Sequence, residues 1–87
     1  MYNGDKEHVT LRAVNVLLDS FIDRFGTRNV IYTTDDERHF TARVSVSVSE
    51  RFYGWLCGLG SKVKIESPAS VSEAFQAYLS KIQRLYD

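Results

Sequence analysis

Cysteine and proline occur once each in these 87 residues. A single thiol, Cys57, excludes an internal disulfide framework and suits a reducing compartment, so a cytoplasmic location is expected. No apolar run approaches the ~20 residues that span a bilayer, so no membrane association is expected. Residues 1–8 are polar and lack the apolar centre of a secretory signal. Neither sign of charge dominates. Eleven basic residues face eleven acidic ones, which removes the overall electrostatic signature of a nucleic-acid or anionic-membrane binder. Internal repeats and low-complexity runs are also missing. What is left is enough chain, with 44% apolar residues, for one small core.

The pattern along the chain is explicit. Residues 1–7 read as a linker from an upstream domain, and residues 8–87 as the domain itself. From 8 to 13 the chain alternates, with Val9, Leu11 and Ala13 on one face, which predicts a half-buried strand. Asn15 fits the N-cap of a helix over Val14, Leu17, Leu18, Phe21 and Phe25, closed by Gly26. A short β-rich segment at 29–33, the acidic turn Asp35-Asp36-Glu37 and the period-two run at 38–48 predict a hairpin. The stretch 49–60 predicts a second helix, with Ser49 as N-cap and Gly60 past its end. Its Phe52, Trp55, Leu56 and Leu59 share a face, and Gly54 and Gly58 lie opposite. A fourth strand is expected at 62–66. Ser70 and Glu73 then have capping-box spacing ahead of a long amphipathic helix running to the C-terminus.

The order βαββαβ, followed by a last helix, predicts an α+β fold. It suits a ferredoxin-like sandwich in which two helices cover one face of a four-stranded antiparallel sheet. In that arrangement Arg12, Arg43 and Lys64 reach the open sheet face, where they are candidate contacts for an anion or small polar ligand. Phe40 has inward parity, so the face lacks the aromatic platforms of an RNA-recognition module. Gly54 and Gly58, each costing a helix interior about 1 kcal/mol, are candidates for close approach by another chain or by a neighbouring domain of the same protein. Tyr78, Ile82 and Tyr86 on the last helix are candidate interface residues.

No catalytic constellation assembles. His8 and His39 could meet across strands, but two histidines without a spaced ligand set make no metal motif, and no metal or cofactor is expected. Cys57 has no activating neighbour. There is no phosphate-binding glycine loop between a strand and a helix. A non-catalytic module is the expectation; a hydrolase built on His8, His39 or Asp36 is the weaker rival.

Taken in order, Val9-Thr10-Leu11-Arg12-Ala13, Phe21-Ile22-Asp23-Arg24-Phe25-Gly26, Phe52-Tyr53-Gly54-Trp55-Leu56, Leu59-Gly60, Val63-Lys64-Ile65 and Pro68 make a recognisable series. It resembles the C-terminal extension, or WCX domain, that follows the WYL domain in bacterial transcriptional regulators. The resemblance implies a ferredoxin-like module that dimerises or relays a ligand state, with a WYL domain and a second copy as partners. DNA would be contacted only through an N-terminal domain outside this chain. The alternative is an ACT-like small-ligand sensor that uses Arg12, Arg43 and Lys64 on the sheet.

Overall fold

A computed structural model describes residues 6–87. The expected linker therefore lies mostly outside the described residues. The first strand, β1, already begins at its last position, running Glu7–Val14. It is followed by a 3-10 turn at Asn15–Leu17, helix α1 at Leu18–Phe25, β2 at Ile31–Thr34 and β3 at His39–Val46. Helix α2 spans Glu50–Leu59, β4 spans Val63–Ser67 and α3 spans Ala69–Arg84.

The four strands form one antiparallel sheet in the order β2-β3-β1-β4. Each element begins within two residues of its expected place, and α3 ends at Arg84, three residues short of the C-terminus. The period-two pattern sets the sheet faces as expected. Val9, Leu11, Ala13, Phe40, Ala42, Val44, Val46 and Ile65 are buried against the helices, whereas His8, Arg43, Ser45 and Lys64 remain exposed.

Phe21 is at the centre of this core. Its ring lies 5.1 Å from Phe40, 5.3 Å from Trp55 and 5.8 Å from Phe25, two of them edge-on. Edge contacts bring a positive ring rim to a negative ring face. They join α1, α2 and β3 in a single aromatic cluster. Tyr32 extends it to the outer strand, and its hydroxyl donates to the Gly26 carbonyl at 2.7 Å. Gly26 ends α1 with φ 79°, a conformation open to glycine and costly for other residues.

The expected ends of α2 are found. Ser49 Oγ accepts from the Phe52 N–H at 3.3 Å, and Gly60 closes the helix with φ 66°. Two other cap assignments are overturned. Asn15 caps no helix. Its Nδ2 donates to the Glu37 carbonyl at 2.9 Å, and its backbone N–H donates to the Arg38 carbonyl at 2.8 Å. The end of β1 is thereby clasped to the β2–β3 turn, and the helix starts through a 3-10 turn instead. Ser70 caps nothing either, because α3 starts from Pro68. The Pro68 carbonyl accepts from the N–H groups of Val71 and Ser72 at 3.1 and 3.2 Å. Proline preset in an extended conformation just before a helix competes well with a serine two residues later.

Helix α3 runs beside α2. Its N-terminal half completes the core: Val71 is buried, and Phe75 and Tyr78 pack their rings 5.4 and 5.0 Å from Tyr53. Beyond Tyr78 the helix is largely uncovered.

Candidate functional site

On the open sheet face, register rather than sequence distance decides which side chains meet. Arg12 pairs laterally with Thr41 on one side and Lys64 on the other, and Arg43 pairs with Thr10. All three proposed anion contacts therefore share a face, with Arg12 and Lys64 adjacent and Arg43 one row away. Arg12, however, is already occupied. Its Nε donates to Asp35, and its guanidinium donates to Asp36 Oδ2 at 3.0 Å. The Asp35 hydrogen bond outweighs partial desolvation and holds the Arg12 charge more firmly than usual. Arg43 and Lys64 are left as cations without a carboxylate partner on this face, among the described residues.

Asp36 is the hub of the hairpin turn. Its Oδ1 accepts from the N–H groups of Arg38 and His39 at 2.7 and 2.9 Å and lies 3.0 Å from His39 Nδ1. These bonds, the Arg38 N–H foremost, favour the charged form and push its pKa down to about 2. The adjacent acids are therefore turn-forming groups. A folded-state value below the ordinary 3.8 means stability that is full above pH ~4 and lost as pH falls toward 2. Because the carboxylate is half exposed, the contribution is small. Asp36→Asn should flatten this part of the Tm-against-pH curve. Identical slopes for the two proteins between pH 4 and 2 would contradict the assignment.

His8 and His39 do not meet. His8 pairs with Ser45 and His39 with Val14, at opposite ends of the β1–β3 ladder. Among the described residues, no group of three or more His, Cys, Asp or Glu side chains could hold a metal ion. Cys57 is exposed on α2.

Gly54 and Gly58 are exposed on the outward side of α2, as their spacing implies. A Cβ built on either would meet nothing within 4 Å. The domain's own packing therefore requires neither glycine.

The interface candidates on α3 divide. Tyr78 is half-buried against Tyr53, so most of its ring is used within the domain. The residues after it are different: Leu79 is 41% exposed, Ile82 37%, Leu85 79% and Tyr86 82%. A groove of about 410 Å³ opens between α2, β4 and α3, lined by Leu56, Val63, Ile65, Phe75 and Leu79. It is continuous at Leu79 with the uncovered end of α3. Sequence periodicity found the stripe but could not show which half of it was covered.

These features describe a small α+β domain with a sheet closed by three helices on one side and an unpartnered apolar helix end. The chain belongs to the WCX domain family, whose profile matches residues 5–83. It is thus a WYL-associated module of a regulator, as the resemblance of its motifs implied. No curated protein matches the chain. No helix among the described residues is long and apolar enough to cross a membrane.

Proposed function

We propose that the domain is the non-catalytic dimerisation module of a WYL-family transcriptional regulator, with α3 as its self-association surface. On this reading it is ferredoxin-like, with β1 and β3 central and the helices on one face. Its pairing carries a ligand or protomer state to a DNA-binding domain outside this chain. The observation that carries the reading is the exposure of Leu79, Ile82, Leu85 and Tyr86 at the end of a helix whose first half is packed.

A second copy of the chain fits this surface better than an unrelated partner does. Phe75, Leu79, Ile82 and Tyr86 are spaced four, three and four residues apart, the a/d spacing of a helix–helix seam. The stripe is symmetric about its midpoint. An antiparallel two-fold pairing therefore matches Leu79 with Ile82 at its centre and brings Tyr86 over the groove that Phe75 lines. Self-complementarity of that kind is what an isologous interface requires. The chain turns on past Arg84, the Tyr86 N–H donating to the Gln83 carbonyl at 3.0 Å.

The test is amide hydrogen exchange at increasing protein concentration. Protection should rise with concentration in the last two turns of α3 and stay constant in the β2–β3 hairpin. Concentration-independent exchange throughout α3 would reject the surface.

A further inference from the structure

At the end of the domain away from the hairpin turn, two hollows adjoin. One, of about 630 Å³, lies between α1, the end of β3 and the start of α2; the other, of about 470 Å³, lies beneath the α1–β2 loop. Lys6, Phe25 and Ser45 line both. Arg24 and Arg51 add their charges to the first hollow, and Arg28 adds its charge to the second. Glu50 is the single carboxylate among the described lining residues. None of the four cations has a carboxylate within 4 Å among the described residues. In a chain of zero net charge, four cations lining two adjoining hollows are conspicuous.

We infer that this end of the domain is a binding site for a phosphate-bearing ligand of nucleotide size, held by Lys6, Arg24, Arg28 and Arg51. Guanidinium groups match phosphate oxygens with paired N–H donors, and lysine adds a mobile point charge. Arg24 is already held near the ring, its guanidinium carbon 5.7 Å from the Trp55 ring centre, within cation–π range. Ser45 and Ser47, both exposed, also border the first hollow. The volumes exceed what inorganic phosphate fills and fall in the range of small-molecule sites. The half-buried Phe25 ring, common to both hollows, offers a face for a planar ring attached to the phosphate. Of the residues lining the two hollows, Glu50 alone also borders the end of α3, and the proposal does not depend on the pairing proposed above.

The experiment is a titration of the 87-residue chain with AMP, adenosine and inorganic phosphate at low salt, followed through backbone amide chemical shifts. AMP should move the amides of Ser45, Ser47 and Arg28, phosphate should move the same set more weakly, and adenosine should move none. Arg28→Glu and Arg51→Glu should each weaken AMP at least tenfold. Lys64→Glu, on the open sheet face, should leave it unchanged. All three positions are exposed, so the variants should fold, which circular dichroism would check. The site is overturned if millimolar AMP shifts nothing or if adenosine matches AMP. It is equally overturned if Lys64→Glu weakens binding as much as Arg28→Glu, which would mark diffuse charge attraction.

Discussion

Phe21→Ala should leave the chain close to unfolding at room temperature. Phe21 is fully buried and touches the rings of Phe25, Phe40 and Trp55, so it joins both early helices to the sheet. Truncating a buried phenylalanine costs roughly 3–5 kcal/mol in lost transfer energy and cavity. A domain of this length has a total stability of roughly 4–13 kcal/mol. The substitution therefore removes a large share of the total, and in an average case most of it. Phe21→Leu keeps most of the volume and should cost about 1–2 kcal/mol. Urea unfolding of the three proteins measures both values. A loss under about 1 kcal/mol for the alanine variant would mean that Phe21 is not the centre of the core.

The second large effect concerns association. Ile82→Asp should abolish pairing of the domain while leaving each copy folded. Ile82 is already more than one-third exposed in the single chain, so its loss removes little of the core. An acid in the last turn of α3 opposes the helix dipole by about 0.3–1 kcal/mol. The cost in the pair is several times larger. A short carboxylate cannot reach solvent from the middle of the stripe, and an unpaired buried charge costs roughly 3–5 kcal/mol. Two-fold symmetry places that charge in the seam twice. Association should therefore weaken by more than about a hundredfold, since each 1.4 kcal/mol is a factor of ten. The thermal midpoint of the dilute protein should change by only a few degrees.

Much of the fold was readable before any coordinates, and particular residues show why. A sheet covered on one side imposes period two, so Val9, Leu11 and Ala13, and likewise Ala42, Val44 and Val46, declared their face directly. Ser49 and Gly60 marked the ends of α2 because nothing nearby competes for them. Asn15 and Ser70 carried equally plausible cap signals and misled. Asn15 is drawn to carbonyls 22 and 23 residues away, and Pro68 starts α3 before Ser70 can. Local preference yielded to tertiary contact at the first site and to a stronger neighbour at the second.

The candidate sites were less readable. Parity placed Arg12, Arg43 and Lys64 together, but only the folded hairpin brings Asp35 and Asp36 onto Arg12. The basic hollow was invisible for the opposite reason. Lys6, Arg24, Arg28 and Arg51 come from four separate segments that are individually unremarkable, and acids spread along the chain cancel them in the total charge. On α3, spacing revealed an apolar stripe, but only the fold shows that its first half is covered and its end is not.

The dimer reading is tested most directly by the mass of the wild-type chain in solution, measured by sedimentation equilibrium from micromolar to submillimolar concentration. It predicts a rise from 10.0 kDa toward twice that value, with Ile82→Asp remaining at the lower mass throughout. A wild-type chain that stays at 10.0 kDa across the whole range would contradict it.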